Sequence, residues 1–281
     1  MHEIPENVLS EIAARALAED VGSGDITTPA VVDDGAQCRA EIWAKEEGVI
    51  AGLAVALIVF QMCDPEVTFE SEVADGDRVS EGQVVARLAG STRAILTAER
   101  TALNFLQRMS GIATLTAQFV EAVEGTSARI VDTRKTAPGL RLLDKYAVRA
   151  GGGWNHRVGL FDGVLIKDNH LRAAGGVGEA VGRARGNVHH LVKVEVEVQT
   201  LEEVEEALAA GADVVMLDNM GLAEIEEAVE LVGRRCQTEV SGGVTLEMVR
   251  ELAECGVDYI SVGALTHSAP ALDLSLEIAD D

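Results

Sequence analysis

The sequence predicts an α/β protein whose second half is a parallel sheet curled into a (β/α) barrel. Three observations carry this. Apolar residues make up 47% of the 281-residue chain and aromatics only 3%, so the core is built from Ala, Val, Leu and Ile, as in layered α/β proteins. From about Ile130, short β-branched runs alternate with helical segments. Polar, chemically capable residues follow each of those runs. The length allows one large domain or two modest ones, each able to bury a core.

In the first hundred residues helix and strand are mixed. Pro5–Glu19 is periodic as a short amphipathic helix and Ala51–Met62 as a buried one. Between Phe69 and Leu96, Asp75-Gly76, Glu81-Gly82 and Ala89-Gly90 punctuate apolar pairs, predicting small strands joined by tight turns. A long helix is expected from Thr97, with Thr97 as its N-cap and Glu99 in its first turn. Leu103, Leu106, Met109 and Ala113 continue its apolar stripe.

The expected strands of the second half are Ile130–Val131, Val164–Ile166, Leu191–Val196, Val214–Leu217, Thr238–Val240 and Tyr259–Val262. Leu201–Ala210, Leu222–Val232 and Leu246–Cys255 are expected helices. This alternation predicts βαβ units with right-handed crossovers. A doubly wound sheet or a barrel fits the count. The residues that follow the strands favour the barrel: Asp132-Thr133-Arg134-Lys135, Lys167-Asp168-Asn169-His170, Glu195 and Glu197, Asp218-Asn219, Ser241-Gly242-Gly243 and Gly263-Ala264. A barrel gathers all these carboxyl ends around one mouth, whereas an open sheet brings only the central few to its crevice.

Charge narrows the partners. Forty-seven acidic residues against 23 basic ones give −24, which predicts weak non-specific binding to nucleic acid or anionic membranes. The acids are dispersed along the chain, as in a halophilic protein whose surface repulsion is screened by concentrated salt. Cys38, Cys63, Cys236 and Cys255 have no metal or redox spacing and read as core residues of a reducing cytosol. The start Met1-His2-Glu3-Ile4-Pro5-Glu6 lacks the pattern of a signal peptide, and the longest apolar stretch, Val49–Phe60, is too short to span a bilayer. A soluble intracellular protein is expected.

Against this acidity stands a basic segment. Residues 129–172 hold nine bases (Arg129, Arg134, Lys135, Arg141, Lys145, Arg149, Arg157, Lys167 and Arg172) against Asp132, Asp144, Asp162 and Asp168. Arg141, Arg149 and Arg172 are expected to pair with carboxylates on helical faces. Arg134, Lys135, Arg157 and Lys167 fall at strand ends or near the Gly151-Gly152-Gly153 loop, and their mutual repulsion calls for a small polyanion. Ser241-Gly242-Gly243 and Gly263-Ala264 are expected to offer backbone N–H groups beside helix N-termini, suited to a phosphate. Glu197 and Asp218 are candidates for a divalent cation, for ribose hydroxyls, or for pairing with Lys135 and Lys167. His170, His189 and His190 show no coherent metal spacing.

At this point a family becomes recognisable. Glu99-Arg100-Thr101-Ala102-Leu103-Asn104, Asp132-Thr133-Arg134-Lys135-Thr136, Pro138-Gly139-Leu140-Arg141, Lys145-Tyr146-Ala147-Val148, Asn155-His156-Arg157 and Leu165-Ile166-Lys167-Asp168-Asn169-His170 resemble quinolinate phosphoribosyltransferases. The resemblance runs from Glu19-Asp20 and Gly24-Asp25-Ile26-Thr27 to Gly263-Ala264-Leu265-Thr266-His267. It implies an N-terminal α/β sandwich-like domain, residues 1–108 joined by the tail 268–281, and an open, incomplete (β/α) barrel over 109–267. It implies conversion of quinolinate and phosphoribosyl pyrophosphate to nicotinate mononucleotide, pyrophosphate and carbon dioxide, in de novo NAD biosynthesis.

By the same resemblance, Lys135, Lys167, Glu197 and Asp218 are the catalytic positions. Arg100, Thr133, Arg134, His156 and Arg157 join them in binding substrates, with Arg100 supplied by a neighbouring chain. Ser241, Gly242, Gly243, Val262, Gly263, Ala264 and His267 would surround the 5′-phosphate. Glu197 and Asp218 would hold Mg2+, directly or indirectly, with no organic cofactor. The expected partners are these small molecules and a second copy, in a cytoplasmic homodimer or a higher assembly of dimers with shared sites; no nucleic acid or membrane partner is expected.

Three other readings stand beside this one. A related protein of the same fold could be a phosphoribosyltransferase that takes another pyridine, or a molybdenum-associated relative, although the number of arginines suits a dicarboxylate. Lys167 at a strand end could form a Schiff base, as in an aldolase-like lyase. Phe69–Leu96 is loosely similar to a lipoyl or biotinyl carrier domain, but contains no lysine to modify.

Overall fold

Residues 4–279 are described here by a computed structural model. Met1, His2 and Glu3, part of the start considered above, lie outside the described residues. The chain forms two compact units: residues 1–117 with 136–152 and 266–281, and residues 118–135 with 153–265.

In the first unit, α1 (Glu6–Val21) starts after Pro5 and buries Leu9, Ile12 and Ala13 at helical spacing. The short α2 (Thr28–Val31) follows a turn built on Asp25. Asp25 Oδ1 accepts the Thr27 and Thr28 N–H groups at 2.8 and 3.0 Å, and Oδ2 accepts the Thr97 hydroxyl at 3.0 Å. These hydrogen bonds, Thr28's first, lower its carboxyl pKa to about 2. A depressed pKa contributes stability above the unfolded value and loses it as pH falls through the folded one. Asp25→Asn should therefore lower the urea midpoint by a constant amount from pH 7 to about 5, with the gap narrowing only below about 4. A gap that narrows above pH 5 would contradict this.

Strands β1 (Gln37–Ala44), β2 (Gly48–Val49), β3 (Thr68–Ser71), β4 (Arg78–Val79) and β5 (Val84–Ser91) surround α3 (Leu53–Cys63) in sequence. Asp75 Oδ1 accepts the Gly52 and Leu53 N–H groups and so closes the open start of α3. The turns expected at Gly76 and Gly82 are present, with φ of 99° and 77°. Ala89-Gly90 is not a turn; it lies inside β5, paired with β1 and β3.

The long helix α4 (Thr92–Ala122) starts five residues earlier than expected. Ser91 Oγ accepts the Ala94 N–H, while Thr97 is an interior residue bonded to Asp25 rather than an N-cap. Leu103, Leu106, Met109 and Ala113 are buried, as the stripe predicted.

The chain returns to this unit at its end. Strand β12 (Leu274–Ile278) pairs antiparallel with β1, giving a sheet ordered β12-β1-β5-β3. The tail crosses α4 at Gly111, where a Cβ would lie 1.9 Å from the Pro270 carbonyl oxygen. Only glycine permits that approach. Helix α5 (Arg141–Ala150) also belongs to this unit.

The second unit carries six strands: β6 (Arg129–Val131), β7 (Val164–Ile166), β8 (Val194–Val198), β9 (Val214–Asp218), β10 (Gln237–Ser241) and β11 (Tyr259–Ser261). All pairings among them are parallel, in the order β6-β11-β10-β9-β8-β7. First and last strands are thus neighbours, as in a barrel, but β6 and β7 are not bonded to each other. A single parallel bridge from Val131 to Trp154 lies at that seam. The barrel is open, as the resemblance implied.

The connecting helices are α6 (Asp168–Ala174), α7 (Val177–Asn187), α8 (Leu201–Ala210), α9 (Leu222–Val232), α10 (Val249–Glu254) and α11 (Ala264–His267). Strand β8 begins at Val194 rather than Leu191, because Leu191 is exposed in the turn after His189-His190. Helix α10 begins at Val249, five residues beyond Val244, so Ser241-Gly242-Gly243 does not abut a helix N-terminus. Gly263 does immediately precede one, the four-residue α11.

Strand register explains the site. In β8, Val-Glu-Val-Glu-Val buries Val194, Val196 and Val198 fully and turns Glu195 and Glu197 to the opposite face. Pairing places Glu195 beside Leu165 and Val214, Glu197 beside Met216, Met216 beside Glu239, and Asp218 beside Ser241. These residues share the inner face of the barrel.

Candidate active site

The carboxyl ends of the strands bring most of the expected residues to one mouth. After β6, Thr133 Oγ1 accepts the Lys135 N–H at 3.0 Å, a tight turn that leaves Lys135 exposed. Buried Asp132 organises the segment at the seam: its carboxylate accepts Asn155 Nδ2 at 2.7 Å and the His156 N–H at 2.9 Å. His156 and Arg157 therefore enter the site across the gap between β6 and β7 rather than from a strand end.

Arg157 Nη1 donates to the Gly163 carbonyl at 2.9 Å, and its Nε is buried without a partner. Loss of solvent, and then the neighbouring Arg134 guanidinium, lower the Arg157 pKa below its ordinary value. That is the convergence of cations that the sequence suggested, and it favours an anionic ligand.

Lys167 follows β7, its backbone N–H held by His170 Nδ1 at 3.0 Å. Its Nζ lies 2.5 Å from Glu197 Oε2. This pair answers one alternative directly, because an ammonium engaged by a carboxylate is a poor imine-forming amine. The partner is Glu197 rather than the adjacent Asp168, which instead meets Arg172 at 3.8 Å. Asp218, on the strand beside Glu197, accepts Asn219 Nδ2 at 2.8 Å.

Asn219 and Gly242 fix the next turn. Asn219 takes φ 57° and donates its N–H to the Ser241 carbonyl at 3.1 Å. A Cβ on Gly242 would meet Asn219 Oδ1 at 2.3 Å, whereas one on Gly243 would meet nothing within 4 Å. The turn is closed on one side and open at Gly243, with space for a ligand group. The Val262 N–H is already donated to the Val131 carbonyl at 2.9 Å, and the Val262 side chain is buried. Val262 thus fixes the strand end from which Gly263 and Ala264 leave. Arg100 and His267 belong to the first unit, where both are exposed; His267 Nδ1 lies 2.6 Å from Ser268 Oγ.

Beneath the mouth, the structure gives the expected site residue His156 two carboxylate neighbours that sequence reasoning left out of the site, Glu195 and Glu239. His156 Nε2 lies 2.9 Å from Glu195 Oε2 and 3.8 Å from Glu239 Oε1, and both carboxyl groups are almost wholly buried. Burial, and then the Glu195 charge, push the Glu239 carboxyl well above the usual range. The signal was in the sequence: polar residues at every second position of β8 and β10 mark an inner face that is not packed with hydrocarbon.

The comparisons with known proteins agree with this arrangement. The family model for the quinolinate phosphoribosyl transferase N-terminal domain matches residues 25–110, and that for the C-terminal domain matches residues 112–277. The chain belongs to the quinolinate phosphoribosyltransferase family. It is 45% identical over 270 residues to the probable nicotinate-nucleotide pyrophosphorylase [carboxylating] of Bacillus subtilis, covering 96% of this chain and 93% of that protein. It is 47% identical over 293 residues to quinolinate phosphoribosyltransferase [decarboxylating] 2b, mitochondrial, of Nicotiana tabacum, covering 98% and 83%.

The crystal structure of NadC from Streptococcus pyogenes matches with a TM-score of 0.95 at 45% identity, covering 100% of both chains. Human nicotinic acid phosphoribosyltransferase matches with a TM-score of 0.63 at 13% identity, covering 100% of this chain and 74% of the other, so there the fold alone is shared. Within the family fold, the first unit is the antiparallel-sheet part and the second the open barrel. Among the described residues, no helix is long and apolar enough to cross a membrane.

Proposed function

We propose that this chain is a decarboxylating quinolinate phosphoribosyltransferase, forming nicotinate mononucleotide, pyrophosphate and carbon dioxide for NAD synthesis in the cytoplasm. The observation that carries this is the match to both family domains, with relatives of that named activity 45–47% identical over nearly the whole chain. The basic mouth supports it, because both substrates are polyanions.

In this reading, Arg134, Arg157 and His156 grip the two carboxylates of the pyridine. Arginine forks suit that planar, two-point recognition. The ring nitrogen attacks the anomeric carbon as pyrophosphate leaves, and positive charge develops on the ribose. Glu197 and Asp218 face that charge, while Lys135 and Lys167 face the departing phosphates. The pyridinium then stabilises the carbanion left on the ring carbon as the carboxylate beside the nitrogen departs as carbon dioxide, and a proton from solvent takes its place. The protein's share in that second step is to hold the ring without neutralising the leaving carboxylate. The 5′-phosphate is assigned to Ser241, Gly242, Gly243, Gly263 and Ala264, beside Val262, with His267 nearby.

Mg2+ is the expected companion of phosphoribosyl pyrophosphate. Glu197 and Asp218 fit it, since they offer hard oxygen donors from adjacent strands at the mouth. When bound, the ion would supply charge neutralisation for the phosphates.

A homodimer with shared sites completes this reading. The exposed apolar side chains Ile26, Leu160 and Phe161 support a covering second copy, and Arg100 is the residue assigned to the neighbour's site. Incubation with quinolinate, phosphoribosyl pyrophosphate and Mg2+ in low and high salt should yield nicotinate mononucleotide and carbon dioxide; no product in either would overturn the assignment. Arg100→Ala and Arg157→Ala should each be inactive, and their mixed dimers should recover part of the activity by subunit exchange. Verified mixed dimers without recovery would rule out shared sites.

A further inference from the structure

The cluster under the mouth has three polar side chains on one inner face: His156, Glu195 and Glu239. Their ligand-type atoms lie within 4.8 Å of one another, which invites a metal reading. The hydrogen bonds argue against it. The Arg157 N–H points at His156 Nδ1 at 2.8 Å, so Nδ1 is the acceptor and the ring proton sits on Nε2. Nε2 therefore donates to Glu195 Oε2 and has no lone pair for a cation. Glu195 Oε1 and Glu239 Oε1 are buried with no hydrogen-bond partner among the described residues.

We propose that Glu195, supported by Glu239, is a positioning residue that locks the His156 ring as the Nε2–H tautomer and thereby sets Arg157 for the pyridine dicarboxylate. The chain of contacts is continuous. Asp132 fixes the His156 backbone, Glu195 fixes the far ring nitrogen, and the near ring nitrogen takes the N–H of Arg157. Rotation of the ring breaks the last of these and frees the Arg157 backbone. Such rotation costs specificity because two-point recognition depends on a fixed guanidinium plane. Met216, on the strand between the two glutamates, supplies an apolar neighbour that offers no competing hydrogen bond. No charge in this cluster touches the phosphoribosyl donor in the reading above. The effect is therefore confined to one substrate.

This rests on the proposed activity, so its test has one arm that does not. In the ligand-free full chain, 15N-histidine NMR should show His156, assigned by comparison with His156→Asn, as the neutral Nε2–H tautomer; Glu195→Leu should abolish that signature. In steady-state assays Glu195→Leu should raise KM for quinolinate about tenfold to a hundredfold, while KM for phosphoribosyl pyrophosphate stays within about threefold. Glu195→Gln, whose amide oxygen still accepts from Nε2–H, should recover most of that loss. An Nδ1–H or doubly protonated His156 in the parent chain would overturn the proposal even if Glu195→Leu fails to fold. Equal changes in both KM values, or no recovery in Glu195→Gln, would also overturn it. Absence of quinolinate turnover in the parent chain, with the expected tautomer present, would count against the activity instead.

Discussion

Lys167→Ala should lower kcat/KM by about a hundredfold to a thousandfold, the usual effect of deleting one charged group aimed at a reacting centre. Two changes act together. The mouth loses an ammonium at the end of β7, and Glu197, whose side chain is 11% exposed, loses the partner 2.5 Å away. In the proposed reaction, the uncompensated carboxylate would then repel the phosphates of the incoming donor. The Lys167 side chain is half-exposed, so the pair itself adds at most about 1 kcal/mol to folding. Thermal melting should accordingly move little while turnover collapses. Activity within tenfold of the parent would show that Lys167 lies outside the chemistry.

Arg108→Ala should cost about 3 kcal/mol of stability, at the lower end of the range for breaking a buried ion pair because Arg108 is one-third exposed. Arg108 Nε and Nη2 donate to the two oxygens of Asp144 at 3.0 and 2.8 Å, and the same carboxylate accepts the Ala137 N–H at 2.9 Å. Asp144 is fully buried, so loss of Arg108 strands a charge away from water. The double variant Arg108→Ala with Asp144→Ala should recover part of the loss. Urea unfolding measures both. A single-variant loss below about 1 kcal/mol would mean that water reaches Asp144 readily.

How much of this was legible in the sequence depends on period and range. Helices α8 and α9 are found where expected, Leu201–Ala210 and Leu222–Val232, because Thr200 caps the start of α8, Gly221 precedes α9, Gly211 and Gly233 end them, and each carries a clean apolar stripe. Strand ends could be read because polar residues interrupt short apolar runs. The start of α4 was misplaced because Thr97 has the chemistry of a cap but is spent on Asp25, 72 residues away in sequence. The Ala89-Gly90 pair looked like a turn because its pairing with two other strands is a long-range fact.

In the site, the cations after β6 and β7 stood out as bases in an acidic chain. For Glu239 the sequence offered only the polar alternation of β10, which marks an inner face without naming a partner. Its partner is set by the strand order, which puts Glu239 on β10 and Glu195 on β8 to either side of β9.

The open seam also sets how firmly the two sides of the mouth are held. Strands β9 and β10 are hydrogen-bonded along both edges, whereas β7 has one strand neighbour and β6 has one plus a single bridge. Amide protons at Val164–Ile166 should exchange with solvent well before those at Val214–Asp218. Lys167, His156 and Arg157 leave from that yielding side, and Glu197 and Asp218 stand on or beside the stiff centre. Ligand capture would then resemble a jaw closing on an anvil: the fixed carboxylates define the place, and the seam supplies the give.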